Sequence, residues 1–454
     1  MKEQKQNEML SGSISKSILK FFFPILVGTF FQQFYNTVDA IIVGQFAGIE
    51  ALSAVGGSSA IIVNLVVSIF MGLSAGCTVL ISQYYGAKDQ DNLHKALHTT
   101  YAFGLLGGVV FGLLGVVASP GLLKLLDTPS ELFSQSNLYL TIYFSGIIFS
   151  FIYNLGSAVL RAIGDSKRPL YYLIVSTFVN ISLDLVFVIA FKMSVLGVAL
   201  ATVISQAVSA LLVTYCLAVK TPDAKLVISR IRLDFLMLRK MLAIGLPAAL
   251  QSSTYAISNM VIQWAVNLFG VTVVAAFTAE GKVDIIFWMI NGSFGTSIAT
   301  FVGQNFGAGN IDRMKKGINR CLGMAMGTAI VIVASLLLFG KYMLLLFTKD
   351  VEVITVAARM IYLIAPGYLF FVFIEIFSSS LRAQGDTLIP TIINIIGIVV
   401  YRSLWVTYFG HRLNLDMIML CYPLSWIICS TAITIYYFLT LKRGKKNETN
   451  LVEY

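Results

Sequence analysis

Charge is scarce in this chain. Only 12% of its 454 residues are Asp, Glu, Lys or Arg, against 57% that are hydrophobic, and the mean hydropathy is +0.83. A soluble helical array would keep a polar face on every helix, but runs such as 325–340 are apolar all round. Other chemistry is equally thin. The five cysteines (Cys77, Cys216, Cys321, Cys421, Cys429) show no CxxC spacing, so neither a zinc site nor a disulfide framework is suggested. His94, His98 and His411 are the three histidines; His94 and His98 are four apart with no third ligand, so a solvated helix face is expected. No GxxxxGK[ST] loop supports ATP-driven pumping. No nucleophile–base pair stands out, so neither an enzyme nor a cofactor is expected. The first 20 residues are polar, with no short apolar stretch leading to a cleavage site, so the first apolar helix is expected to remain as a span.

What the sequence does have is apolar runs long enough to cross a ~30 Å hydrocarbon core, which takes about 20 helical residues. Twelve are predicted, near 18–45, 53–84, 95–119, 136–161, 169–192, 194–219, 237–269, 274–303, 317–340, 355–381, 388–410 and 414–441. The expected fold is an all-α polytopic membrane protein. With twelve spans both termini share one side, and 24 of the 32 lysines and arginines fall on it. By the positive-inside rule that side is the cytoplasm. The formal charge of +10 is thus topological, and no nucleic-acid partner is expected.

The chain also repeats itself at a shift of 221. Gln83-Tyr-Tyr-Gly86-Ala87 matches Gln304-Asn-Phe-Gly307-Ala308, and Leu160-Arg161-Ala162-Ile-Gly164-Asp165 matches Leu381-Arg382-Ala383-Gln-Gly385-Asp386. Near the start of each half Pro24 pairs with Pro247, and Asn36 with Asn259. The reading is a cytoplasmic N-tail (1–17), an N-lobe of helices 1–6 (18–219), a cytoplasmic linker (220–236), a C-lobe of helices 7–12 (237–441) and a cytoplasmic C-tail (442–454). Two parallel six-helix repeats suit a transporter whose halves rock. The repeated Arg-Ala-x-Gly-Asp is expected to make a turn, and Gln-x-x-Gly-Ala to end a helix.

Acidic residues inside spans are costly and point to function. Asp39 lies two-thirds along predicted helix 1, and Asp184 two-thirds along helix 5. Asn180 and Asp184, four apart, share a helix face, and a turn at 192–194 brings Thr202 of helix 6 within reach. Carboxylate, amide and hydroxyl oxygens are hard ligands for a small cation. Asp39, Asn180, Asp184 and Thr202 are therefore the expected cation or proton site, and Na⁺ is the one metal it would take. Gln32, Tyr35, Asn36 and Asp39 form a polar stripe on helix 1, and Tyr139, Tyr143, Ser150 and Asn154 another on helix 4. Such stripes are expected to line a wet substrate cavity. In the second half Glu375 and Arg402 are expected to pair. Glu280 and Asp284, flanking Lys282, read as an interfacial cluster.

These features together resemble the multidrug and toxic compound extrusion (MATE) family over nearly the whole chain. The resemblance rests on the two six-helix halves, the first helix from Pro24 to Val38-Asp39, the duplicated Arg-Ala-x-Gly-Asp, and Asn180, Asp184 and Thr202 in order. The last three match the cation-site pattern of the DinF-like branch. The NorM-like branch places a carboxylate on helix 7, where this chain has none between Ile244 and Phe269. The resemblance implies a monomeric transporter in a bacterial or archaeal cell membrane that exports amphipathic, often cationic compounds in exchange for Na⁺ or H⁺. The alternative is a lipid-linked oligosaccharide flippase of the same superfamily. A flippase would want arginines in its cavity helices, and predicted helices 1 and 2 have none. Pro24 is the expected hinge of helix 1.

Overall fold

A computed structural model describes the backbone of residues 8–409 and 415–452, with side chains as far as Lys442. His411, the first seven residues of the N-tail and the last two of the C-tail lie outside the described residues. Twelve helical rods follow one another, and no strand occurs among the described residues. The first half holds α1 (Ile14–Ala47), α2 (Ile49–Gly86), α3 (Gln90–Leu125), α4 (Ser130–Ser145 and Ile147–Ala162), α5 (Lys167–Ala190) and α6 (Ser194–Lys220). The second holds α7 (Phe235–Asn267), α8 (Val271–Gly307) and α9 (Ile311–Leu344), then α10 (Val351–Ala383), α11 (Leu388–Tyr408) and α12 (Leu415–Lys442).

Among the described residues nine rods are long and apolar enough to span a membrane, and the two pieces of α4, bent by 48° at Gly146, make a tenth. The other two, α7 and α8, are 33 and 37 residues long. They are less apolar because they carry polar side chains such as Gln251, Thr254, Ser258, Glu280, Asp284 and Asn291, and all six are buried. Apolar side chains point outward instead: Val117, Leu338, Leu211 and Leu113 are exposed, as a lipid-facing surface requires.

The chain forms two compact units. One comprises Leu19–Ala249 with Met1–Leu10 and Gly307–Gly309; the other comprises Leu250–Phe306 and Asn310–Tyr454 with Ser11–Ile18. The division falls within α7 at Ala249 rather than at its start. The linker and the first half of α7 pack with the N-terminal helices, for reasons given below.

In the first unit α4 is central, packed on α2, α3 and α6. Small residues on α3 allow this. A Cβ on Gly108 would come within 2.7 Å of the Ile148 backbone, and one on Gly112 within 2.9 Å of the Phe144 carbonyl oxygen. Phe70, Phe144, Phe151 and Leu93 fill the core. In the second unit Phe287, Tyr368 and Trp426 do so, with Phe287 and Tyr368 stacked at 4.2 Å.

The repeated Arg-Ala-x-Gly-Asp forms the same turn twice. Gly164 and Gly385 both have φ +96°, a conformation glycine adopts without a Cβ clash. The Asp165 N–H donates to Leu160 O at 2.9 Å, and the Asp386 N–H to Leu381 O at 3.0 Å. Asp165 then caps α5 by accepting the N–H groups of Lys167 and Arg168, each at 3.1 Å.

Candidate cation site

The turn between α5 and α6 is tight, with Lys192 and Ser194 at φ +52° and +48°. It folds the two helices into a hairpin, and the Ser176 hydroxyl pins them by donating to Ser205 O at 2.7 Å. Asn180 and Asp184 on α5 and Thr202 on α6 are all buried, with 0%, 0% and 3% of their surface exposed. Immediately after Asp184, residues 185–190 widen into a π-helical stretch, and α1 ends in another at 43–47. These two stretches pack together. Local π turns of this kind occur frequently where a helix serves a functional site.

Asp39 of α1 meets Asp184 with their carboxyl groups within hydrogen-bonding reach. Neither has an ion-pair partner among the described residues. One carboxyl oxygen of Asp39, both of Asp184, both polar atoms of the Asn180 amide and the Thr202 hydroxyl are buried without a hydrogen-bond partner. Buried polar groups are normally satisfied, so this cluster of unspent oxygens suits a bound proton or a small hard cation. Tyr35 lies within reach of Thr202 and within electrostatic range of both carboxyl groups. Tyr139 lies within range of the same two carboxyls, and the Tyr139 and Tyr143 rings stack at 6.1 Å.

The other expected residues lie apart from this cluster. Gln32 and Asn36 are exposed, and the Asn36 amide points back to Gln33 at 3.4 Å. Asn154 donates to the Ser150 carbonyl of its own helix at 2.8 Å. Pro24 sits inside a helix that runs unbroken from Ile14 to Ile42. Gln206, one turn beyond Thr202, was not anticipated; its Oε1 is buried and unpartnered. The four-residue spacing from Thr202 is the signal that could have found it.

Three expectations are corrected, the first two of them in the second unit. Glu280 and Asp284 are not interfacial: only 3% and 9% of their surface is exposed. They lie within hydrogen-bonding reach of one another, with Tyr368 and Trp288 against Asp284, and Lys282 points outward. One helical turn separates the two carboxylates, so both face inward where the lysine between them cannot. Glu375 and Arg402 do not pair. Glu375 accepts from the Ser379 hydroxyl at 3.2 Å and has Arg382 as its electrostatic neighbour. Arg402 donates to Ser425 at 2.9 Å and Ser258 at 3.4 Å, and its guanidinium lies 4.3 Å from the Tyr422 ring centroid. Finally, His98 is not solvated: it is 6% exposed.

Comparison with known proteins agrees with the helical plan. The MatE family model matches residues 24–186 and 247–405, one segment in each half. "Probable multidrug resistance protein YoeA" of Bacillus subtilis is 30% identical over 450 residues, covering 97% of this chain and 96% of that protein. "Probable multidrug resistance protein YpnP" of the same organism is 30% identical over 433 residues, covering 95% and 97%. Among solved structures, a MATE protein in a bent conformation superposes with a TM-score of 0.92 at 20% identity, covering 99% of this chain and 100% of that one. A MOP superfamily transporter from Pyrococcus furiosus gives 0.90 at 21%, covering 98% and 100%.

Proposed function

The chain belongs to the MatE family, a family of multi-pass membrane transporters, and from that premise we propose that it is a secondary active antiporter of the DinF-like branch. It exports amphipathic, cationic small organic compounds in exchange for Na⁺ or H⁺ by alternating access. It works as a monomer without a cofactor, in a bacterial or archaeal cell membrane, with both termini and the 220–236 linker in the cytoplasm. The observation that carries this reading is the pairing of half-buried Asp39 with buried Asp184, with Asn180 and Thr202 beside them, all holding unspent oxygens. Two carboxyls so close in a low-dielectric setting resist ionising together. An empty site therefore favours taking up a proton or Na⁺, and a loaded one is neutralised. The difference between those two states is what a coupled transporter needs. The multidrug-resistance names of YoeA and YpnP support export of drug-like compounds. The flippase alternative is not favoured by those names, nor by a first-half cluster built from carboxylates rather than arginines.

The test is efflux of a fluorescent organic cation from proteoliposomes under separately imposed Na⁺ and pH gradients. At least one gradient should drive export in the native protein and neither in Asp184→Asn. Gradient-driven export that survives Asp184→Asn overturns the reading.

A further inference from the structure

The segment that joins the two halves is clasped by a pair of histidines at the start of α3. His98 has both ring nitrogens committed. Nδ1 lies 2.7 Å from the His94 carbonyl oxygen, and Nε2 receives the Val227 N–H at 3.1 Å. A nitrogen that accepts from an amide carries no proton, so the proton is on Nδ1 and the ring is neutral. The His94 ring reaches the Lys225 backbone carbonyl, and the two imidazole centroids are 6.2 Å apart. One residue beyond His98, the Thr99 hydroxyl receives the Asp234 N–H at 3.2 Å. Between these points Ala224 and Leu226 are buried at 0% and 1% exposure, and Leu226 N–H donates to Leu217 O at 3.0 Å. Four contacts thus lay the linker on α3 and α6, which explains why it packs with the first unit.

We infer that His98 is a proton-operated latch that docks the linker when neutral and releases it when protonated. Protonation puts an N–H on Nε2 facing the Val227 N–H, so the bond is lost and two donors confront each other. The charged groups lining the cleft around His98 do not reverse this. Asp91 and Lys95 come from α3, and Arg230, Arg232 and Asp234 from the linker, around a cavity of about 620 Å³. The Asp234 carboxylate already accepts the Met237 N–H at 2.9 Å, which leaves Asp91 against three fixed cations and a second imidazole. An added positive charge is therefore opposed. The Val227 contact is made while the imidazole is neutral and is lost when it takes up a proton. Release frees the stretch around Val227 in the segment between the two MatE-matched regions. Its effect on transport rests on the antiporter reading; the latch itself does not.

Hydrogen exchange of the full-length protein in lipid nanodiscs tests it, with rates at pH 7.5 and 5.5 corrected for intrinsic exchange. The Val227 amide should lose at least tenfold protection at the lower pH in the native protein. It should keep protection in His98→Gln, whose amide oxygen accepts at every pH. The imidazole shift of His98, followed by NMR in the native protein, should titrate together with that loss. Unchanged Val227 protection in the native protein, or a His98 titration that does not coincide with it, overturns the latch. Organic-cation export by the native protein and by His98→Gln, measured on the same preparations at pH 7.5, tests the antiporter reading separately.

Discussion

Asp39 and Asp184 come from helices well over a hundred residues apart in the chain and meet carboxyl to carboxyl, with no lysine or arginine paired to either among the described residues. Such a pair acts as one titrating unit. If the pair loads the coupling ion, Asp39→Asn and Asp184→Asn should each abolish ion-driven efflux, and the double variant should be no worse than either. Groups that work together lose function non-additively. Residual coupling in one single variant that disappears only in the double would show two independent sites instead.

Thr202 supplies a single oxygen, so its loss should be graded rather than total. Thr202→Val keeps the shape and removes the hydroxyl. Losing one polar contact costs about 1.4 kcal/mol, or roughly tenfold in affinity. The half-saturating concentration of the driving ion should rise by about that factor with the maximal efflux rate preserved. A normal ion dependence in this variant would place Thr202 outside the ion's coordination.

Glu280 and Asp284 hold two carboxyl groups against each other at a cost in stability. Two carboxyls so placed resist ionising together, so one must hold a proton, and a permanently neutral amide in its place removes that cost. Glu280→Gln is expected to raise the melting temperature in detergent, by an amount corresponding to about 1–2 kcal/mol if the site is a strained functional one. A lower melting temperature would mean that the charged pair is structural.

Arg402 and Glu375 invite a double-mutant cycle. Since each has other partners, the destabilisation by Arg402→Met and by Glu375→Gln should add to within about 0.5 kcal/mol. The Glu375–Arg382 cycle should show a larger coupling. A strong Glu375–Arg402 coupling would contradict the separate environments described here.

These cases show what the sequence could and could not convey. Apolar runs and the Gly-Asp turns are local patterns, and each appears in the structure where it was read, apart from α7 and α8, whose polar side chains make them less apolar than the other ten rods. The four residues Asp39, Asn180, Asp184 and Thr202 were legible because carboxylates in apolar helices are rare and two of the four share a face. Glu280 and Asp284 were misplaced because Lys282 between them suggested water, whereas a helix turns alternate residues to opposite sides. The expected Glu375–Arg402 pair failed because opposite charge alone cannot say which neighbour is nearer. Arg382 lies two helical turns from Glu375 along the same rod, while hydroxyls and aromatic rings satisfy Arg402. His98 was read as solvated because its partner is a backbone amide of the linker, which no side-chain pattern reveals.

Pro24 offers the last prediction. Proline cannot donate a hydrogen bond to the Lys20 carbonyl, and its ring crowds that turn, yet α1 runs through it without a break. The helix thus carries a weak point that remains helical in this structure. Asp39 lies fifteen residues further on, about 22 Å at 1.5 Å per residue, so any influence of one on the other must travel through the rod. If α1 bends at Pro24 during the cycle, Pro24→Ala should restore the missing hydrogen bond, stiffen the helix and slow export. Ion binding at Asp39 and Asp184 should be little changed, because neither carboxyl touches the proline. The measurement is paired: ion affinity by titration of the purified variant, and export rate in proteoliposomes. Slower export with native affinity supports a hinge. Native export shows that α1 works as a rigid rod, and a loss of affinity in step with export shows that Pro24 shapes the site rather than the motion.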